Sequence, residues 1–359
     1  MLRIEKPEGA DALGEFVALH DRVYASRAAH WPASPLLLPV LLGQTPITKE
    51  RELQPFVARA GGEVVARACA AVDHPYQRHW NERLGHVLMF EALPEAREGA
   101  RAVLDAASAW LAERGATAVR NGFGLFDMPY NTDAYETLPP SMMRQNPAAY
   151  HALIKGAGFE TEHGFVDYAI EATPALVERW RGALDAARKN GFELATLREL
   201  PRDERAPVLC ELWNETFSGH WGWSPFSPEI AALFVLDDGA LDPSVIAYRD
   251  GKPVGFCFVI PDDPSHARLA PGRALRPSEK LNMLAIGVRS AARGRGLNYA
   301  MAAHAYLELV RRGWTHVSYT LVLDENWASR RTGEGLGATL CANYVTYRRE
   351  LRRGAGAAR

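Results

Sequence analysis

The chain lacks an excess of charge of either sign, since its 359 residues include 41 Lys and Arg against 43 Asp and Glu. A protein that binds nucleic acid through a broad basic field needs a surplus of cations. We therefore expect no nucleic-acid partner.

Cysteine is also scarce, and the four cysteines are far apart, with no CxxC pair among them. A zinc site or a disulfide framework needs closely spaced or numerous cysteines. We therefore predict neither a disulfide framework nor a bound metal.

Long apolar runs are missing as well. The first residues, MLRIEKPEGADAL, are charged from the third position, unlike the apolar core of a signal peptide. No stretch reaches the roughly 18 uninterrupted apolar residues of a membrane helix. We expect a cytoplasmic protein with no membrane partner.

A weak internal duplication organises the chain. Residues 56–72 and 244–260 each read as two apolar runs around a glycine-bearing turn, which is typical of a β-hairpin. Each hairpin precedes a strand, a long amphipathic helix, a further strand and a short helix. A shared order at an offset of about 180 to 190 residues indicates two copies of one fold.

The boundary between the copies is marked by helix signals. Thr173-Pro174 is an N-cap and first-turn pair, and Asn190-Gly191 is a C-terminal stop. We predict a first domain over residues 1–172, a connecting helix over 173–190, and a second domain over 191–352.

The second copy contains a phosphate-binding pattern. An apolar strand over residues 281–288 leads into Arg293-Gly294-Arg295-Gly296 and then a helix. Glycines let backbone amides approach an anion, and a helix N-terminus attracts it. A Walker loop would need a Lys here, and a dinucleotide fingerprint would need glycine where Tyr299 stands.

These residues resemble the signature of the GNAT (Gcn5-related N-acetyltransferase) superfamily. Val288 and Arg293-Gly294-Arg295-Gly296 have that family's spacing, although Asn298 replaces the usual Gly or Ala. Asn326-Trp-Ala-Ser329 and Leu336-Gly337 resemble its second motif. The resemblance implies an α/β fold with a mixed central sheet flanked by helices, and two splayed strands holding acetyl-CoA or coenzyme A. The implied cofactor-binding residues are Ile286, Gly287, Val288, Arg293, Gly294, Arg295, Gly296, Leu297, Asn298 and Asn326.

The first copy resembles the same fold without the phosphate loop. Its corresponding turn carries Glu91, Glu95 and Glu98, which would repel a diphosphate. We interpret it as a degenerate, non-catalytic copy. The long aromatic segment over residues 121–150 has two open interpretations, a functional loop or a cover for the domain seam.

An aromatic segment over residues 212–226 lies where the family shapes its acceptor pocket. We predict that Phe217, His220, Trp221 and Trp223 bind the acceptor, a small-molecule amine. The alternative is that these rings pack in the core.

The catalytic side chains are harder to assign. Asn282 stands where many members carry a Glu that acts as the general base. Gly333 stands where a Tyr that acts as the general acid is usual. Asn282 and Tyr319 are the catalytic candidates, and Tyr344, Tyr347, His304 and His220 are further options for acid or base.

The resemblance implies direct transfer of an acyl group, most simply acetyl, from acyl-CoA to an amine. The alternatives are an acyl-CoA-binding sensor that has lost turnover, and an aminoacyl-tRNA-dependent transferase. The sequence leaves open whether the chain forms a homodimer.

Overall fold

The computed structural model describes residues 1–124, 127–279 and 281–351. Arg352, the last residue of the predicted second domain, lies outside the described residues. No helix among those described has the length and apolar character to cross a membrane.

The first half of the chain alternates strands and helices. Its elements are β1 (Leu2–Glu5), α1 (Gly9–Tyr24), β2 (Ala29–His30), α2 (Leu37–Leu41), β3 (Arg51–Ala60), β4 (Glu63–Asp73), α3 (His74–Trp80), β5 (Leu84–Ala92), α4 (Arg97–Glu113), β6 (Ala118–Asn121), β7 (Tyr130–Asn131), α5 (Tyr150–Gly156) and β8 (Glu160–Glu171).

The second half repeats the main order. Its elements are α6 (Pro174–Lys189), β9 (Glu193–Thr196), α7 (Arg202–Phe217), α8 (Pro228–Phe234), α9 (Asp238–Leu241), β10 (Val245–Arg249), β11 (Lys252–Pro261), β12 (Arg268–Leu269), β13 (Asn282–Val288), α10 (Leu297–Arg311), β14 (His316–Leu323), α11 (Trp327–Leu336) and β15 (Thr339–Glu350).

Both predicted hairpins are present, as β3–β4 and β10–β11. The second turn places Asp250 and Gly251 at φ of 51° and 70°, a backbone region that glycine adopts without strain. The connecting helix is α6, where the Thr173 side chain accepts a hydrogen bond from the Leu176 N–H.

The strands form a mixed nine-stranded sheet, a separate four-stranded sheet and a two-stranded sheet of β2 and β12. The large sheet has the order β1-β3-β4-β5-β6-β15-β8-β14, with β7 pairing with β15, and the small sheet has the order β13-β11-β10-β9. Helices flank these sheets, as the sequence predicts for an α/β fold.

The two halves share strands at the centre of the large sheet. β15, the last strand in the described part of the chain, lies between β6 and β8 of the first half. In turn, β8 pairs with β14 of the second half. Each half therefore completes its sheet with the final strand of the other.

The hydrophobic cores follow this exchange. The first core, built mainly by β3, β4, β5 and α4, includes Tyr347 from β15. The second, built around α10, includes Val166, Tyr168 and Ile170 from β8. Because each core needs a strand from the other half, the two halves are one packing unit.

Candidate functional site

The site begins where β13 and β14 separate. Asn282 and Ser318 join these strands: the Ser318 N–H donates to Asn282 Oδ1 at 2.9 Å, and Asn282 Nδ2 donates to the Ser318 carbonyl at 3.1 Å. Farther along, the Leu284 N–H donates to Thr320 Oγ1 at 3.2 Å. The ladder pairings of the described residues then join β13 to β11 and β14 to β8, so that a V opens toward Val288.

The loop after β13 has the shape of an anion site. Gly294 and Gly296 adopt φ of 76° and 73°, and Gly296 is the N-cap of α10. No side chain of the described residues caps this helix, and a Cβ built at either glycine would meet nothing within 4 Å. The first N–H groups of α10 are therefore open to a ligand.

Arg293 is held at the same loop. Its Nε donates to the Val288 carbonyl at 2.9 Å, which ties the guanidinium to the end of β13. A cation beside the amides of a helix N-terminus favours a phosphate there.

A cleft of about 360 Å³ lies between this loop, the splayed strands and α11. Eight of the ten predicted cofactor residues line it, whereas Arg295 and Gly296 do not. The lining residues from that prediction are Ile286, Gly287, Val288, Arg293, Gly294, Leu297, Asn298 and Asn326.

Sequence reasoning missed several lining residues, namely Thr216, Ala292, Ala328, Ser329 and Thr332. Ala328, Ser329 and Thr332 belong to the first turns of α11. Ser329 follows Asn326 by three residues, and Thr332 follows Ser329 by three and Ala328 by four, so helical spacing was an available signal that they share a face. Thr216 belongs to α7 and carries no local signal.

Two contacts explain unusual residues in the cleft wall. Asn298, which departs from the family's small residue, donates from Nδ2 to Thr332 Oγ1 at 2.8 Å and joins α10 to α11. Gly287 makes room for α7, because a Cβ there would lie 2.1 Å from Thr216 Oγ1.

A second cavity of about 550 Å³ continues from the cleft. The four predicted acceptor residues Phe217, His220, Trp221 and Trp223 all line it. Its wall is largely aromatic and aliphatic. The first half contributes Phe123, Gly124, Met128, Met142 and Phe165.

The two cavities share part of their lining. His220, Ile286, Tyr319, Asn326 and Ser329 line both. This junction is where a group held in the cleft can meet a group held in the larger cavity.

The two predicted catalytic residues occupy different environments. Asn282 is fully buried, lines neither cavity as the described residues define them, and bonds to Ser318. Tyr319 lies at the junction, and its hydroxyl is 2.9 Å from Ser329 Oγ. Burial raises the pKa of Tyr319 to about 12.

Gly333 provides the space for Tyr319. A Cβ at Gly333 would lie 3.2 Å from Tyr319 Cδ1. The helix position where the family usually carries a Tyr is therefore covered by a tyrosine ring from the neighbouring strand.

The other candidates for acid or base lie elsewhere. The Nε2 of His304 is 3.1 Å from the Asp242 carbonyl oxygen, and Tyr344 and Tyr347 are buried in β15. None of the three lines the described walls of either cavity. Among the described residues no group of three or more His, Cys, Asp or Glu is placed to hold a metal ion.

The corresponding cleft of the first half is filled by the protein itself. Strands β5 and β6 pair over their first residues, and the chain then continues into the segment over residues 121–150. Arg144 from this segment is buried and bonds to Asp127 and to the Phe90 carbonyl. Tyr130 lies against the Arg144 guanidinium, 4.1 Å from it.

Glu91 is a further buried side chain in the place of the first half's cleft. The Tyr150 hydroxyl donates to Glu91 Oε2 at 2.7 Å. Burial opposes ionisation of Glu91, yet the hydrogen bond from His20 and nearby cations lower its pKa to about 2. A buried carboxylate and packed side chains thus stand where a ligand cleft would open.

The same segment also joins the halves. The Leu138 N–H donates to Glu279 Oε1 at 3.3 Å, and the Ser141 N–H donates to Asp262 Oδ1 at 2.8 Å. It therefore covers the seam and also contributes Met142 to the wall of the larger cavity.

Comparison with known proteins agrees with this geometry. The family model described as "Acetyltransferase (GNAT) family" matches residues 206–337. A solved tandem GNAT protein from the clavulanic acid biosynthesis pathway has a TM-score of 0.63 at 16% identity, over 99% of this chain and 100% of that one. The chain is a tandem GNAT-fold protein. Its first copy is degenerate, since its cleft is filled.

Two curated proteins are similar in sequence to this tandem GNAT-fold chain. "Protein YghO" of Escherichia coli (strain K12) is 26% identical over 62% of this chain, and the match spans 58% of YghO, less than two thirds of it. "Bacterial ceramide synthase" of Caulobacter vibrioides (strain NA1000 / CB15N) is 23% identical over 94% of this chain and 95% of that protein.

Proposed function

We propose that this tandem GNAT protein is an N-acyltransferase that moves a long acyl group from acyl-CoA to the amine of an apolar acceptor. The observation that carries the proposal is the continuity of the loop-bearing cleft with the larger aromatic cavity. The GNAT fold supports N-acyl transfer in general, and the donor and acceptor are inferred from the cavities.

The cleft fits coenzyme A. Amides of the loop and the first turn of α10, with Arg293, provide an anion site for the diphosphate. The splayed strands leave the backbone of Ile286 and Val288 beside the cleft for a pantetheine arm.

The larger cavity fits an aliphatic chain. Its volume of about 550 Å³ lies within the range of ligand sites, and its wall is mostly aromatic and aliphatic. Each methylene buried there contributes up to about 0.8 kcal/mol, roughly fourfold in affinity. An acetyl group would leave most of this surface without a partner.

An amine is suited to the rim of the same cavity. Of the described residues that line it, Glu325 alone carries a carboxylate, and this side chain is largely exposed. A carboxylate at the opening favours an ammonium group over a neutral or anionic one.

The Caulobacter relative strengthens the choice of substrates. A ceramide is an amide between a fatty acid and a long-chain amino alcohol, and that relative aligns over nearly the whole chain. We infer an acceptor of this kind. The second candidate is the transfer of acetyl from acetyl-CoA to a small amine, which the sequence pattern favours. A cytoplasmic location remains part of the proposal.

A chain-length panel separates these candidates. The purified chain is incubated with acetyl-, octanoyl- or palmitoyl-CoA and with ethanolamine or sphinganine, and the amide product is measured by mass spectrometry. This readout avoids thiol reagents, which the exposed Cys341 would also consume. We expect kcat/KM to rise with chain length. A preference for acetyl-CoA and ethanolamine would support the second candidate, and binding of acyl-CoA without product would support a sensor.

A substitution tests the cavity itself. Ala285 lines the larger cavity but not the cleft, so Ala285→Phe should shift the preference toward shorter chains and leave the affinity for free coenzyme A unchanged. Ala10→Phe, on the exposed face of α1, is the matched control. An unchanged chain-length preference in Ala285→Phe would place the acyl chain elsewhere.

A further inference from the structure

We propose that His220 is the general base that removes a proton from the acceptor amine; this inference rests on the N-acyl transfer proposed above. His220 follows the end of α7, and its N–H donates to the Phe217 carbonyl at 2.8 Å. Its ring lies 4.6 Å from the Phe217 ring. It lines both the cleft, which we assign to coenzyme A, and the larger cavity, which we assign to the acyl chain and the amine, so its side chain is at the junction where thioester and amine meet.

The other junction residues are less suited to accept a proton. Ile286 is apolar, and Asn326 uses its Oδ1 to cap α11 by accepting from the Ser329 N–H at 3.1 Å. Tyr319 and Ser329 carry hydroxyls that bond to each other. Among the described residues of the junction, His220 is therefore the one whose side chain is of a type that titrates near neutral pH.

The imidazole has no competing partner in the described part of the chain, because no side-chain hydrogen bond engages it there. Burial, and then the nearby Arg293 guanidinium, lower the pKa of His220. The imidazole is therefore neutral at pH 7 and ready to accept a proton.

The charged and titratable groups around His220 come from several elements. Arg293 and Tyr319 line the cleft with it, and Glu325 lines the larger cavity. On the far side, His79 Nε2 lies 2.7 Å from the Ser218 carbonyl oxygen, and Arg120 lies over the Trp221 ring at 4.1 Å. Among the described residues that line the larger cavity, Glu325 carries the one carboxylate; it is largely exposed, its Oε1 lies 3.8 Å from His163 Nδ1, and it can hold the ammonium before transfer.

The proton balance of the reaction is complete. A nitrogen of His220 takes one proton from the ammonium, and the amine lone pair then attacks the thioester carbonyl carbon. The C–N bond forms, the C–S bond breaks, and the thiolate takes the second amine proton, for which the Tyr319 and Ser329 hydroxyls provide a path. His220 then releases its proton to solvent.

The test compares His220→Gln with His266→Gln, a substitution of an exposed histidine outside both cavities. We expect His220→Gln to lower kcat by about 100-fold or more, the usual contribution of a general base. The affinity for free coenzyme A and the KM for acyl-CoA should stay unchanged. In the unsubstituted protein kcat/KM should rise with pH through a limb below pH 6.5, and His220→Gln should lose this limb. His266→Gln should behave as the unsubstituted protein.

A second variant guards against a change in packing. Added imidazole should restore part of the rate of His220→Ala, because a free base can enter the vacated space, and it should not affect the unsubstituted protein. Full kcat with the acidic limb intact in His220→Gln would overturn the base assignment and leave N-acyl transfer in place. Failure of the unsubstituted chain to form any amide would overturn both.

Discussion

The loop glycine Gly296 offers the sharpest test of where the diphosphate binds. Its φ of 73° lies in the left-handed region, and a Cβ there would meet no protein atom within 4 Å. A side chain at this position therefore extends into open space at the N-terminus of α10, next to the cleft-lining Gly294 and Leu297, beside which we place the diphosphate. From the sequence alone, Gly296→Val is expected to abolish coenzyme A binding and to leave the melting temperature of the apo protein nearly unchanged.

The left-handed backbone at Gly296 changes the expectation for the melting temperature. An L residue in this conformation costs about 1–2 kcal/mol, and a β-branched one more. For a chain of this size we expect the melting temperature to fall by roughly a few degrees. Gly251 is a matched control, because its φ is 70°, a Cβ there also meets nothing within 4 Å, and it lies in the turn between β10 and β11.

The assay is a calorimetric titration of coenzyme A together with a thermal melt of each apo variant. Gly296→Val and Gly251→Val should melt at similarly lowered temperatures. Only Gly296→Val should lose affinity, by tenfold or more. Unaltered affinity in Gly296→Val would refute the placement of the diphosphate, and an equal loss in both variants would show that strain alone weakens the site.

Three further predictions concern residues around the site. Asn282→Ala should lower the free energy of unfolding, measured in urea, by about 2–4 kcal/mol, because it leaves the buried N–H and carbonyl of Ser318 unpaired. A large loss of kcat at unchanged stability would instead assign Asn282 a catalytic role. Burial raises the pKa of Asp167 to about 7. As pH rises from 5 to 8, this carboxyl is ionised in the unfolded chain before it is ionised in the folded one, so the free energy of unfolding of the unsubstituted protein falls. Asp167→Asn lacks this effect, and its free energy of unfolding should gain about 2–3 kcal/mol relative to the unsubstituted protein over that range. Equal pH dependence of the two urea midpoints would contradict that pKa. Arg293→Ala should weaken coenzyme A binding and reduce the dependence of that binding on salt. It should also move the acidic limb of kcat/KM to higher pH, since Arg293 lowers the pKa of His220. An unmoved limb would mean that a group other than His220 causes it.

Local patterns predicted the elements that carry the cofactor cleft. Alternating apolar runs around a glycine turn located β10 and β11, and the glycine-rich loop located the N-terminus of α10. Such signals depend on residues close in sequence, where turn geometry and helix capping act. Eight of the ten predicted cofactor residues line the cleft for that reason.

The exchange of β8 and β15 was not predictable in this way. Their sequences indicate strands at most, and nothing within them identifies a partner more than 150 residues away, such as Thr339 for Ala169. The choice of neighbour depends on which surface remains open after the local elements have packed, a property of the whole fold.

The larger cavity was only half predicted. The aromatic segment over residues 212–226, which spans the end of α7, indicated Phe217, Trp221 and Trp223, because closely spaced aromatic residues are easily seen in a sequence. Phe123 and Met142 come from the first half and reach the wall only because the segment over residues 121–150 crosses the seam. A contribution across such a distance has no local signature.

The shared strands also bear on how the chain is made. A ribosome releases the N-terminal half first, and domains commonly fold as they emerge. Here the position between β6 and β8 belongs to β15, at Thr339–Glu350. The first half therefore lacks an inner strand of its sheet until the second half has been synthesised. The first copy also cannot be removed without the loss of β8, which completes the sheet and the core of the second half.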